Sequence, residues 1–107
     1  MTDMYITSLD EFNALKAEGK TLVIDFTATW CPPCKRIGPI YEGLVASYPE
    51  LVMKKVDVDA CAEVSASVGI RCMPTFMVFK NGAEVDKMEG ASDEGLKAML
   101  DKAKAAC

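Results

Sequence analysis

The chain contains no histidine. That absence excludes Cys–His nucleophile pairs, Ser–His–Asp triads and every zinc site built with imidazole. Any chemistry must come from thiols, carboxylates, lysines or hydroxyls. Long apolar runs are lacking too: no segment approaches the roughly 20 apolar residues needed to span a bilayer, so no membrane association is expected. The N-terminal stretch carries Asp3, Asp10, Glu11, Lys16, Glu18 and Lys20. It holds neither an apolar signal core nor an Arg-rich, acid-free transit pattern, and a cytoplasmic location is expected. Basic patches are missing as well. The net charge is −4 and the Lys and Arg residues are scattered, which argues against nucleic acid as a partner because phosphate binding needs clustered cations. With no G-x-G-x-x-G fingerprint, no bound nucleotide cofactor is expected.

What is present suits one domain over residues 1–107, with half of the residues apolar and able to build a core. Five cysteines are many for this length. An odd number in a chain without a signal does not read as a disulfide framework.

The pattern along the chain alternates strands and helices. Met4–Thr7 is a short strand, then Ser8 opens a helix with Glu11 in capping-box position, and Gly19 closes it. Leu22, Val23, Ile24 and Phe26 make a nearly continuous apolar run, the signature of a strand covered on both faces. Ile37, Ile40, Tyr41, Leu44, Val45 and Tyr48 lie at helical spacing between Cys34 and Tyr48, with a proline kink expected at Pro39; Tyr41 and Tyr48 read as core. Val52–Asp57 is a strand, followed by a short helix near Cys61–Val68 that ends at Gly69. Thr75–Lys80 and Val85–Glu89 flank Asn81-Gly82, a strong hairpin signal. A last helix over Ser92–Ala106 buries Leu96, Met99, Leu100 and Ala103. The order β-α-β-α-β-α-β-β-α predicts three parallel strands joined through helices and a final antiparallel hairpin, in an α/β sheet covered on both faces.

Trp30-Cys31-Pro32-Pro33-Cys34 falls where the strand Leu22–Thr27 runs into the long helix. A helix N-terminus presents unpaired N–H groups and the positive end of the dipole, which stabilise a thiolate at Cys31. The two-residue spacing brings Cys34 within disulfide reach, one turn further in. Cys31 is then the partly exposed attacking thiolate and Cys34 the buried resolving thiol, exchanging through a mixed disulfide. Zinc also uses C-x-x-C, but a structural site needs a second pair, and Cys61, Cys72 and Cys107 are single, so no metal is expected. Asp25 lies inside the apolar run, where burial raises a carboxyl pKa and equips it to take the proton from Cys34. Lys55, on the neighbouring strand, is placed to bear on that titration. Neither Pro32 nor Pro33 has an N–H, so the helix start offers the Cys31 sulfur one donor fewer than a Gly-Pro insert would, which predicts a less acidic thiol.

These segments resemble the thioredoxins, above all the eukaryotic cytosolic ones, over the whole chain. The resemblance rests on Asp25-Phe26-Thr27-Ala28-Thr29-Trp30-Cys31, Val56-Asp57-Val58-Asp59, Cys72-Met73-Pro74-Thr75-Phe76, Phe79-Lys80-Asn81-Gly82 and Gly90-Ala91. Most thioredoxins have Gly-Pro between the cysteines; the Pro32-Pro33 form is similar to some plant thioredoxins and to tryparedoxins. The resemblance implies the thioredoxin fold, a mixed five-stranded sheet in the order 1-3-2-4-5 flanked by four helices. It implies reduction of protein disulfides by Cys31 and Cys34, with Asp25 as the proton acceptor and Met73-Pro74 as a cis-proline loop beside the cysteines. Trp30, Met73, Pro74, Gly90 and Ala91 would form the contact surface for substrate, which adds as an extended strand. No cofactor is bound: electrons are implied to come from NADPH through a separate thioredoxin reductase. They would pass to peroxiredoxin, ribonucleotide reductase and methionine sulfoxide reductase.

Cys72, two residues before Pro74, is a candidate for modification or for an intermolecular disulfide linking two otherwise monomeric chains. Cys61 reads as structural, and Cys107 as a terminal thiol open to adventitious oxidation. Three other readings stay open: a binding module that works without turnover, a cysteine metal protein, and a glutathione-dependent glutaredoxin, whose family usually shows Cys-Pro-Tyr-Cys.

Overall fold

The computed structural model describes residues 4–107. Its elements in chain order are α1 (Leu9–Ala17), β1 (Leu22–Thr27), α2 (Pro32–Leu44), β2 (Val52–Asp57), α3 (Ala62–Val68), β3 (Thr75–Lys80), β4 (Ala83–Glu89) and α4 (Asp93–Ala105). A 3-10 turn at Val45–Ser47 carries the end of α2 toward β2.

Local chemistry accounts for most of the boundaries. Ser8 caps α1 by accepting the N–H of Glu11 at 3.0 Å, and Ser92 caps α4 by accepting that of Gly95 at 3.0 Å. Gly69 ends α3 in the left-handed conformation, φ +73°. Asn81 and Gly82 both have positive φ, 54° and 81°, as a two-residue type I′ loop requires. That tight loop lets β4 start at Ala83, two residues before the expected Val85. The register between β3 and β4 then shifts: Val78 faces Asp86 while Phe79 faces Glu84, so Val85 is the extra, outward-turned residue of a β-bulge, 56% exposed on the edge strand.

Among the described residues the sheet has four strands in the order β2-β1-β3-β4, not the five expected. β1 pairs with β2 in parallel and with β3 antiparallel, and β3–β4 is the antiparallel hairpin. The segment read as a first strand, Met4–Thr7, lies where the expected order would put it, but forms only a parallel bridge between Tyr5 and Lys55. Among the described residues two hydrogen bonds flank this bridge, Lys55 N–H to Met4 carbonyl and Ile6 N–H to Lys55 carbonyl, both 2.8 Å. The next residue to face β2 would be Ser8, but Ser8 is the N-cap of α1, so helix capping ends the pairing; the Thr7 N–H faces away from β2 and bonds the Glu11 carboxylate at 2.9 Å.

All six residues of β1 are buried, and they alternate between two cores. Leu22, Ile24 and Phe26 join Ile6, Phe12, Val56, Val64, Met77 and Phe79 under α1 and α3. On the other face Val23 packs with Ile37, Tyr41, Phe76, Val78, Leu96 and Leu100 under α2 and α4. By the same alternation Asp25 points into the α2 face.

Candidate active site

β1 delivers the chain to its C-terminal end at Thr27, and the loop through Trp30 turns it into α2. Cys31 is the N-cap of that helix, extended at φ −101° and ψ 107°, with Pro32 and Pro33 at its first two positions, where a missing N–H costs no helical bond. Cys31 and Cys34 are joined by a disulfide, their Cα atoms 5.2 Å apart. The Cys31 sulfur accepts the N–H of Cys34 at 3.3 Å. Cap side chains take their hydrogen bonds from the second and third helical positions: Pro33 leaves the second without an N–H, so the sulfur is served by the third, Cys34, while Pro32 at the first position removes no capping donor.

The two sulfurs do not differ in exposure as the sequence led us to expect. Cys31 is 5% exposed and Cys34 3%. Tied inward to Cys34, Cys31 packs in a small cluster with Ala28, Val58 and Met73. What distinguishes them is position: Cys31 is at the helix terminus, 3.7 Å from the Met73 carbonyl oxygen, while Cys34 is inside the first turn.

Met73-Pro74 is a cis peptide bond, as the resemblance implied. Pro74 is buried, and its carbonyl accepts the Gly90 N–H at 2.9 Å, which ties the Gly90-Ala91 loop to the proline loop. Trp30 is 61% exposed, its indole N–H donating to the Asp59 carboxylate at 2.7 Å, so the ring is a surface feature and not core. The structure thus brings Trp30, Met73, Pro74, Gly90 and Ala91 around the disulfide end of the sheet. Arg36, which sequence reasoning passed over, bonds the Ala91 carbonyl and Asp93, both at 2.7 Å, and fastens α2 to that loop.

Behind the disulfide lies a buried charged group of residues. Asp25 is 1% exposed, and neither carboxylate oxygen has a hydrogen-bond partner among the described residues. Burial raises its pKa from 3.8 to about 7, the Lys55 charge working against this rise and the Glu42 charge adding to it. Lys55 sits opposite Asp25 in the β1–β2 register and is buried. Its ammonium bonds Glu42 at 2.7 Å. Burial works against that charge, but the bond to Glu42 and the nearby negative groups outweigh it and lift the Lys55 pKa. Tyr41 lies with its hydroxyl 2.8 Å from the Lys54 carbonyl and 3.1 Å from that of Val23, pinning α2 to both β1 and β2. An open pocket of about 390 Å³, lined in part by Cys34, Gly38 and Lys55, reaches this region from solvent. No feature of the sequence announced Glu42, because its partner lies on another element.

The other cysteines are apart from this centre. Cys61 is buried at the start of α3, and burial pushes its thiol up. Cys72 is exposed, its sulfur 4.0 Å from the Thr75 hydroxyl, and Cys107 is exposed at the C-terminus. Among the described residues no three His, Cys, Asp or Glu side chains are grouped to hold a metal ion, and no helix is long and apolar enough to cross a membrane.

The thioredoxin family model matches residues 3–102. The thioredoxin of Ictalurus punctatus is 48% identical over 101 residues, covering 91% of this chain and 94% of that protein. The solved thioredoxin of Plasmodium falciparum superposes with a TM-score of 0.89 at 44% identity, covering 92% of this chain and 96% of its own. A third match comes from a structure of the thiol-resolving mechanism of yeast mitochondrial 1-Cys peroxiredoxin via glutathione/thioredoxin systems. It has a TM-score of 0.88 at 34% identity and covers 94% of this chain and 95% of that one.

Proposed function

This chain belongs to the thioredoxin family and is a thiol–disulfide oxidoreductase, and we propose that it acts as a single-domain electron carrier of the eukaryotic cytosolic type, with Trp30-Cys31-Pro32-Pro33-Cys34 as its active site. The observation that carries this reading is the Cys31–Cys34 disulfide at the start of α2, set against the Met73 carbonyl beside a cis proline.

In the proposed cycle the reduced Cys31 thiolate attacks a substrate disulfide. A mixed disulfide forms and the first substrate sulfur leaves as a thiolate, which takes a proton from solvent. Asp25 then accepts the proton of Cys34. The Cys34 thiolate attacks the Cys31 sulfur, releasing the second substrate sulfur and closing the Cys31–Cys34 disulfide. Two electrons have passed to the substrate. A carboxyl poised at about pH 7 suits this transfer, because it is an effective proton acceptor and donor near neutrality. Trp30, Met73, Pro74, Gly90 and Ala91 hold the substrate as an extended segment along the Met73 backbone. Lys55 modulates the titration of Asp25.

Recharging takes two electrons from NADPH through a separate thioredoxin reductase, with no cofactor or metal resident on this chain. Its acceptors are disulfides of proteins such as peroxiredoxin, ribonucleotide reductase and methionine sulfoxide reductase. The peroxiredoxin system of the yeast neighbour supports the first of these. The chain works as a monomer in the cytoplasm, with Cys72 as the site through which a disulfide-linked dimer would form. The deciding experiment is insulin reduction driven by NADPH and thioredoxin reductase, compared with glutathione as donor. Turnover with the reductase and little with glutathione is expected; the reverse preference would assign the chain to a glutathione-coupled system. Loss of turnover in Cys31→Ser excludes a pure binding role.

A further inference from the structure

Asp25 and Lys55 occupy directly opposed positions on adjacent parallel strands and point to the same face of the sheet. Both are buried. A carboxylate and an ammonium so placed would ordinarily pair, since each is costly to bury alone. They are not hydrogen-bonded: both Asp25 oxygens are without a partner among the described residues, while the ammonium is 2.7 Å from Glu42. The pair that forms is with a half-exposed carboxylate reaching down from α2.

We propose that Glu42 is a positioning residue for the proton chemistry of Asp25, holding the Lys55 ammonium on the α2 side so that this charge does not settle on the Asp25 carboxyl. Two further features build the seat. Gly38 precedes Glu42 by four residues, on the same face of α2, and a Cβ placed on it would lie 3.4 Å from the Lys55 nitrogen. A larger side chain there would take the space the ammonium occupies. From the opposite side the Tyr5 ring lies 5.3 Å from the same nitrogen, a cation–π contact that also draws the charge outward.

The remaining groups around Asp25 leave Glu42 and Lys55 as the pair that matters. On α2, Tyr41 directs its hydroxyl to the Val23 and Lys54 carbonyls, and Cys34 is held in the disulfide. From β3 the register partner is the apolar Phe76, and the residues that α4 buries in the core on this face, Leu96 and Leu100 among them, are apolar too. Lys55 lowers the Asp25 pKa, and Glu42 also raises it directly by its own charge, so the direct and the positioning effects of Glu42 have to be separated.

This inference rests on the reading of Asp25 as the proton acceptor for Cys34, and the test separates the two. Carboxyl carbon NMR of the full oxidised chain follows the titration of Asp25 directly, without turnover. In Glu42→Gln the freed ammonium should move toward Asp25, and the Asp25 midpoint should fall by on the order of one pH unit. Glu42→Asp, which keeps the charge on a shorter stem, should restore part of the shift. In the Lys55→Met background the same Glu42→Gln change should do little, because the charge it positions is gone. An unchanged Asp25 midpoint in Glu42→Gln overturns the proposal. So does a full shift in the Lys55→Met background, which would make Glu42 act directly through space. The pH profile of insulin reduction should move with the NMR midpoint. If Asp25→Asn leaves that profile unaltered, Asp25 is not the proton acceptor, and the NMR result on Glu42 is still decided on its own.

Discussion

The reactivity of Cys31 is set by its place at the N-cap, not by exposure, since it is nearly as buried as Cys34 in the disulfide. Reduction leaves Cys31 as the N-cap residue, and in the disulfide form the Cys34 N–H is already aimed at its sulfur. Limited alkylation of the reduced protein should therefore label Cys31 first, as peptide mapping would show; predominant labelling of Cys34 would reverse the two roles. The double proline adds a smaller effect. Pro32→Gly supplies an N–H at the first helical position, which is not the position that bonds a cap side chain but does add a dipole near the sulfur. One such contact to a charged group is worth on the order of 1 kcal/mol at most, so the Cys31 pKa should fall by less than about one unit. Thiolate absorbance during a pH titration reads this directly. An equal or higher pKa in the glycine variant would assign the stabilisation to the Cys34 N–H and the helix dipole alone.

At the scale of elements, β1 is the organising strand. Burying it on both faces fixes where α2 begins, and the β1–β2 register sets Lys55 against Asp25. The hairpin that closes the sheet depends on its loop. Gly82 has φ +81° with open space where a Cβ would stand. Gly82→Ala should thus meet no clash and lose only the left-handed preference, about 1 kcal/mol. A lowered denaturant midpoint with unchanged insulin reduction is the expected outcome, because the loop is at the far end of β3 from the cis proline. No change in midpoint would mean that the loop relaxes to another turn.

For the whole molecule, the buried Asp25 makes stability depend on pH in a definite sense. Its folded pKa, about 7, is above its unfolded value of 3.8. Between these values the folded chain holds a proton that the unfolded chain has released, so stability declines as pH rises through this window and levels off above it. The full difference is on the order of 4 kcal/mol as an upper bound, from the 1.36 kcal/mol per unit of linkage. Urea unfolding of the oxidised protein at pH 5 and pH 8 should show at most about 2.6 kcal/mol of this loss in the wild type, the part that falls above pH 5, and a much flatter response in Asp25→Asn. The variant should also be the more stable at pH 8. Equal pH responses of the two proteins would show that Asp25 titrates near its ordinary value. The molecule gives up stability at neutral pH to keep an unpaired carboxyl behind its thiols.

Several features were determined by the sequence alone, because short-range chemistry specifies them. Ser8 and Ser92 begin helices by capping, Gly69 and Asn81-Gly82 demand left-handed backbone, and the Leu22–Phe26 run marks a doubly covered strand. Cys31 and Cys34 follow that strand at a spacing that puts the first at a helix terminus and the second within disulfide reach. The tertiary structure decided what depends on elements meeting. Ser8, the next residue that would face β2, became the N-cap of α1 and left the Met4–Thr7 segment as a single bridge, a contest between strand pairing and helix capping that propensity does not resolve. Trp30 came to the surface, held by Asp59, and Lys55 went inside, held by Glu42. Lys55 and Glu42 are thirteen residues apart and on different elements, so no periodicity couples them. Their contact needs α2 packed across β1 and β2, where Tyr41 bonds both strands, and that packing decides which carboxylate the buried ammonium reaches.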